Sequence, residues 1–355
     1  MSGTSTVPNI EPPVGPSGDS AVAVVDDAAL AGWLTALGVA HRGPFRGERI
    51  GLGQSNLTYV VTDADGRRWV VRRPPLGTLL ASAHDVVREA RILSAVAGTA
   101  VPVPRVLGVL EHATVPMVLM EFVEGTVIDR PDIAAALPAE QRRAAGIALP
   151  RTLSDIHALD LERIGLADLA SHKPYAQRQL TRWARQWEQS KTRESPKLDR
   201  LTERLRAAIP PQHEITLVHG DFHIRNVITE PRAGTITAVL DWELCTLGDP
   251  LADLGSLLAY WPEPGERPGD SFGVCALPGF PNREELAAEY FACNGRDPGA
   301  LRFWHALGLW KVAIIREGVV RRARDSAGNR AAAGVPTTAG VDALIDAATA
   351  VAAGL

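Results

Sequence analysis

The sequence predicts an α+β protein, on three observations. Between Phe45 and Val123 it runs in strand-length apolar segments broken by glycine turns. After Gly125 it changes to long segments of helical periodicity. Between Leu217 and Asp241 two short apolar β-type runs each end on an acidic or amide side chain. Strand ends of that kind let a sheet present chemistry while keeping its own hydrogen bonds.

Taken in order, residues 1–20 are rich in Pro, Gly, Ser and Thr with few large apolar side chains, so a disordered tail is expected. A first lobe is expected over 21–123. Asp26 or Asp27 caps a helix with Leu30, Trp33, Leu34 and Leu37 on one face, ended by Gly38. Ile50 to Asn56 is a glycine-bearing turn containing Gly53 and Ser55. Leu57–Thr62 and Trp69–Arg72 form a hairpin about Asp63–Gly66. His84–Val96 has helical periodicity and holds Glu89. Val103–Leu107 and Pro116–Val123 are strand-length runs, and Glu124-Gly125 breaks the pattern.

A second lobe is expected over 124–355. Pro138–Leu159 is helical in period, with a kink expected at Pro150 because its ring removes a hydrogen bond. Further helices are expected around Leu286–Phe291, Leu301–Val320 and Val341–Ala352.

Composition excludes several classes. The chain of 355 residues is 46% hydrophobic and 22% charged, long enough for two domains or one bilobal one. A net charge of −4 argues against a nucleic-acid partner. Cys245, Cys275 and Cys293 make no Cys-x-x-Cys pair, so neither a disulfide framework nor a thiolate zinc site is indicated. With no run of about eighteen apolar residues and no basic-then-apolar leader, a cytoplasmic location without a membrane partner is expected.

The chemistry concentrates in His219-Gly220-Asp221-Phe-His223-Ile-Arg225-Asn226 and, one strand later, Asp241-Trp242-Glu243. Asp221 and Asn226 stand in the Asp-x-x-x-x-Asn spacing of a protein-kinase catalytic loop, where the Asp acts as base and the Asn binds metal. Asp241 closes the next strand, where a second oxygen ligand for the cation would stand. This constellation suits phosphoryl transfer.

These residues, followed by Gly248-Asp249-Pro250-Leu-Ala-Asp253-Leu254, resemble the aminoglycoside phosphotransferase and choline kinase superfamily. The resemblance implies a bilobal protein-kinase-like fold, with a small antiparallel β-rich N-lobe and a larger, mainly helical C-lobe. It also implies Mg²⁺ with ATP or GTP as co-substrate, and a small-molecule hydroxyl acceptor. By the same resemblance Asp221 is the catalytic base, and Asn226 and Asp241 are metal ligands. Gly53 and Ser55 cover the phosphates, Arg72 supported by Glu89 clamps them, and the backbone from Glu121 to Val123 borders the adenine. The phosphate clamp is usually Lys, and Arg72 departs from that pattern.

Lys173–Arg206 carries ten Lys and Arg against four Asp and Glu, with Arg178, Arg182 and Arg185 at i, i+4 and i+7 and Trp183 among them. It is read as an anion-binding wall. Together with Val-Val-Arg72-Arg-Pro-Pro-Leu-Gly it resembles a subgroup, the kinase-like domain of multidomain acyl-CoA dehydrogenases, whose implied acceptor is a hydroxyacyl-CoA. Three other readings stand beside this one. They are an aminoglycoside or other small-alcohol kinase, a nucleotide-binding module without turnover, and a metal-dependent hydrolase centred on His219, Asp221 and His223.

Overall fold

The structure is a computed structural model, and it describes residues 26–51, 56–74, 85–110, 115–170, 173–263, 266, 273–325 and 336–355. They divide into two compact units. The first comprises Met1–Ala97 with Val103–Glu124, and the second Gly98–Pro102 with Gly125–Leu355.

The first unit opens with α1 (Asp27–Ala36), whose start is fixed by the Asp26 side chain accepting from the Ala28 N–H. It continues through β1 (Arg46–Ile50), β2 (Leu57–Thr62), β3 (Arg68–Arg73), α2 (Val86–Val96), β4 (Val106–Leu110) and β5 (Met117–Glu121). The strands form one antiparallel sheet in the order β1-β2-β3-β5-β4. Period-2 alternation sorts its two faces. Val61, Trp69, Val71, Met117 and Leu119 pack against Leu30, Trp33 and Leu34 of α1. Arg72, one residue out of phase with Val71, pairs across β2 with Thr58 and points to the other face. The strand β1 is exposed along its whole length and carries no apolar alternation, so it is invisible to periodicity and forms through its ladder with β2.

The second unit is built on helices. Here α3 (Pro131–Ala136) precedes α4 (Ala139–His157), which runs on without a break through Pro150. Next come α5 (Tyr175–Ser190) and α6 (Pro196–Ala207), then β6 (Thr216–Val218), β7 (Val227–Glu230), β8 (Thr235–Val239) and β9 (Thr246–Gly248). Helices α7 (Leu251–Ala259), α8 (Arg283–Asn294), α9 (Leu301–Asp325) and α10 (Thr338–Ala352) close the chain. The core of this unit holds Trp187, Trp242, Trp261, Trp304, Trp310, Phe222 and Tyr290, all fully buried.

Two glycines let α9 approach α7 closely. A Cβ on Gly308 would lie 2.7 Å from the Gly255 carbonyl oxygen, and one on Gly255 would collide with the backbone of Trp304. Among the described residues no helix is long and apolar enough to cross a membrane.

Candidate active site

The site grows from the end of β6. Gly220 has φ +84°, and a Cβ there would lie 2.7 Å from the Leu244 carbonyl oxygen, so only glycine fits the turn that presents Asp221. Asp253 of α7 anchors the turn, accepting from the His219 N–H at 2.6 Å and the Gly220 N–H at 2.8 Å. Its Oδ2 also lies 3.4 Å from His157 Nε2, while His157 Nδ1 is 2.7 Å from the Tyr290 hydroxyl. Burial pushes the Asp253 carboxyl up, but His157 and the loop amides outweigh it and hold it below the usual range. Burial pushes the His157 imidazole down. A neutral His157 that donates through Nε2–H to an ionised Asp253 satisfies both.

Asp221 is held by both carboxylate oxygens. Oδ1 accepts from the Tyr260 hydroxyl at 3.2 Å, and Oδ2 from Asn226 Nδ2 at 3.2 Å, with His223 Nε2 at 3.5 Å. A 3₁₀ turn over Ile224–Asn226 brings Asn226 back, and its Nδ2 also donates to the Asp221 carbonyl at 2.9 Å. Burial pushes the Asp221 carboxyl up, but His223, Lys311 and His219 overcome it and hold it well below the usual range. The group is therefore a carboxylate at any physiological pH.

His219 orients the loop. Its Nε2 donates to the Leu240 carbonyl at 2.9 Å, and its Nδ1 accepts the Asp221 N–H at 3.3 Å, with the ring 4.8 Å from Trp242. Both ring nitrogens are thus committed to the backbone, which removes His219 from any metal-ligand set and corrects the hydrolase reading. Among the described residues no three His, Cys, Asp or Glu side chains are grouped to hold a metal.

Asp241 follows β8 with φ 65° and ψ 57°, the positive-φ non-glycine conformation among the described residues. A left-handed carboxylate residue at a strand end carries about 1 kcal/mol of strain, of the kind that persists where it aims a side chain. The Leu240 N–H donates to the Asn226 carbonyl at 2.8 Å, which ties the two candidate ligand positions together. Because the Nδ2 of Asn226 is spent on Asp221, the amide presents its oxygen elsewhere. An amide oxygen with a carboxylate is a hard donor set that fits Mg²⁺.

In the first unit Arg72 Nε lies 2.8 Å from Glu89 Oε2, a pair 15% and 4% exposed, and Arg72 Nη1 is 3.4 Å from Thr58 Oγ1. The neighbouring Arg73 instead reaches the Pro74 carbonyl and lies over the Tyr59 ring. The Glu121 side chain is spent within the sheet. It accepts from the Arg105 N–H at 3.0 Å and pairs with the Arg105 guanidinium. Val123 follows β5, half-buried. Gly53 and Ser55 lie outside the described residues.

The arginine wall of α5 is not a single surface. Arg178 donates to the Leu247 carbonyl at 2.6 Å and braces β9, whereas Arg182 and Arg185 are exposed. The helical spacing puts all three on one face, but β9 stands opposite position 178, and the Leu247 carbonyl takes its guanidinium and leaves it half-buried. Trp183 donates through Nε1 to Gln179 at 3.0 Å, and Lys311 Nζ sits 5.4 Å above its ring. Trp183 also lines a pocket with Gly220, Asp253, Ser256, Trp304 and Lys311. At about 20 Å³ that pocket is the size of a single water and far below the volume of an acceptor.

Tyr260 and Lys311, and the anchoring role of Asp253, join the site only through the fold. Asp253 had a signal in its place within Gly-Asp-Pro-Leu-Ala-Asp. The other two had none, since they reach the loop from 39 and 91 residues away.

With fold and geometry in hand, the class is plain. The profile of the phosphotransferase enzyme family matches residues 46–304, and the chain belongs to that family. Acyl-CoA dehydrogenase family member 10 of Mus musculus is 38% identical over 294 residues, which are 81% of this chain and 27% of that protein. Family member 11 of Rattus norvegicus is 33% identical over 304 residues, 83% of this chain and 39% of that protein. The chain thus spans well under half the length of these relatives. Among solved structures, a Ralstonia eutropha protein assigned as an aminoglycoside phosphotransferase superposes with a TM-score of 0.73 at 28% identity, covering 93% of this chain and 98% of that one. A macrolide 2′-phosphotransferase from Brachybacterium faecium shares the fold, with a TM-score of 0.58 at 20% identity over 89% and 97% of the two chains. The architecture is the bilobal, protein-kinase-like one, with an antiparallel β N-lobe and a mainly helical C-lobe.

Proposed function

We propose that this chain transfers the γ-phosphoryl group of ATP or GTP to a hydroxyl of a small molecule. The observation that carries this reading is Asp221. It is a carboxylate oriented by Tyr260 and Asn226 and kept ionised by His223, Lys311 and His219, at the mouth of a glycine turn. Asp221 accepts the proton as the acceptor oxygen bonds to the γ-phosphorus. The bond from that phosphorus to the β,γ-bridging oxygen breaks, and the nucleoside diphosphate leaves with the electron pair. Asn226 and Asp241 would hold Mg²⁺, which when bound supplies charge neutralisation for the phosphates. Arg72, aligned by Glu89, offers a fork of donors to the α- and β-phosphates in place of the usual point-charge Lys.

For the acceptor, a hydroxyacyl-CoA is the reading we favour over an aminoglycoside. Aminoglycosides are polycations, while 173–206 carries a positive surplus and keeps Arg182 and Arg185 exposed. The relatives at 33–38% identity are named as acyl-CoA dehydrogenase family members. The neighbour solved with GDP and kanamycin is 15% identical and supports the fold alone.

The test is phosphate transfer from ATP and from GTP to 4-hydroxyacyl-CoA and to kanamycin, in wild type and in an R182A/R185A variant. Transfer to the thioester that weakens in the variant supports the reading. Robust kanamycin phosphorylation overturns the acceptor, and Mg²⁺-dependent nucleotide binding without transfer to any hydroxyl would leave a binding module.

A further inference from the structure

Lys311 of α9 lies beyond the stretch matched by the family profile, which ends at residue 304. Its Nζ donates to the Gly220 carbonyl at 2.7 Å, and its ammonium lies over the Trp183 ring at 5.4 Å. That carbonyl belongs to the peptide whose N–H is the Asp221 N–H, and this N–H donates to His219 Nδ1. The peptide plane on which Asp221 is mounted is therefore gripped at both ends, by an ammonium on one side and an imidazole on the other. Asp253 grips the preceding peptides through the His219 and Gly220 N–H groups. A glycine at φ +84° has the widest backbone freedom in the loop, so the plane that follows it is the one that needs holding.

We propose that Lys311 is a positioning residue for the phosphoryl-transfer base: by holding the Gly220 carbonyl it sets the angle at which Asp221 meets the acceptor hydroxyl. This deepens the function proposed above and rests on it. The fold supplies the means. The close glycine crossing of α7 and α9 at Gly255 and Gly308 stands less than one helical turn before Lys311, so it sets how near the ammonium comes to the loop. The Trp183 face offers the cation a favourable seat where water is scarce. A charge-assisted bond to a carbonyl is among the stronger hydrogen bonds a loop can have. No residue in the Asp-x-x-x-x-Asn segment supplies it.

The experiment compares wild type with K311M, K311Q and K311R. Phosphate transfer is read as separate kcat and KM values, and hydrogen–deuterium exchange is followed over residues 217–226. Misplacement of a reacting group by about 1 Å costs up to about 10²-fold. K311M is therefore expected to lower kcat about 10- to 100-fold, with nucleotide and acceptor KM within about threefold. Exchange over 217–226 is expected to quicken about tenfold, with little change elsewhere. K311R, which can still donate to the carbonyl, and K311Q, through its amide, should recover most of kcat.

Unchanged exchange over 217–226 overturns the proposal, as does a raised acceptor KM at unchanged kcat, which would make Lys311 an acceptor contact. Should K311M fail to fold, K311A, which also removes the donor to the Gly220 carbonyl, carries the same comparison against K311Q and K311R. Should wild type phosphorylate no acceptor, the functional reading fails. The exchange measurement would still decide whether Lys311 holds the loop.

Discussion

The two units hold their candidate functional groups in different ways. In the first, Arg72 and Glu89 meet as an ion pair between a strand and the helix that follows it, with the Thr58 hydroxyl beside them. In the second, the loop that carries Asp221 is held from several elements at once. Asp253 takes two of its N–H groups, Lys311 a carbonyl, and Tyr260 one carboxylate oxygen, while His219 ties it to β8 through Leu240. The first arrangement is a pair that can be perturbed piecemeal. The second is a network in which each member restrains the same few atoms, so deletions there should be costly and non-additive.

The largest effect expected is on chemistry. Asp221→Ala should lower kcat by about 10²- to 10⁴-fold with nucleotide affinity nearly unchanged, because the carboxylate acts on the acceptor. Steady-state kinetics with nucleotide titration checks it, and activity within a few-fold of wild type would take Asp221 out of the mechanism. Next comes the anchor. Asp253→Ala strips two buried N–H donors and His157 of their acceptor, an expected loss of about 3–5 kcal/mol for breaking a buried charged network. Urea unfolding measures it, and a loss below about 1 kcal/mol would mean the loop is not held as a network.

How much of this was legible follows from how far each contact reaches. The Asp221–Asn226 contact is made within five residues of one loop, closed by the 3₁₀ turn over Ile224–Asn226, so its spacing is written in the chain. The strands β2 and β3 could be read because half-buried strands alternate, β5 because it is a continuous apolar run of strand length, and α1 because Asp26, Leu30, Trp33 and Gly38 mark its cap, face and end. The exposed β1 shows no such pattern. Arg178 shares a helical repeat with Arg182, yet the Leu247 carbonyl claims it, because periodicity reports a face and says nothing of what opposes it. Tyr260 and Lys311 depend on how α7 and α9 pack, and no local pattern carries that.

The pair in the first unit should respond more mildly. Glu89→Gln leaves Arg72 without its ionic partner, while keeping the shape of the side chain. Nucleotide KM is expected to rise about 10-fold, with stability changed by about 1–2 kcal/mol, the cost of weakening a buried charge-assisted contact. Arg72→Lys tests the fork itself: a lysine that restores nucleotide KM to wild type would show that a point charge suffices. Calorimetric titration with Mg²⁺-nucleotide reads both variants. A collapse of the fold in Glu89→Gln would erase the contrast between the units.

The smallest effect sets one buried carboxylate against another. Asp249 stands four residues before Asp253 and is 7% exposed. Its Oδ1 accepts from the Leu251 N–H at 2.9 Å. Burial pushes its carboxyl up to about 6, against the lowering effect of that N–H. A folded-state value above the unfolded one of about 3.9 means the native state holds its proton more tightly. Ionised Asp249 therefore costs stability above about pH 6, and the cost fades as the pH falls from 6 towards 4. Asp249→Asn keeps an oxygen for the Leu251 N–H and removes the charge. It should add about 1–2 kcal/mol at pH 7.5 and about a third of that at pH 4.5, less than the ceiling of about 2.7 kcal/mol that a two-unit shift allows. Denaturant unfolding at the two pH values checks the sign. Destabilisation at pH 7.5 would mean that His213 or Arg296 compensates the buried charge, and that Asp249 is held much as Asp253 is.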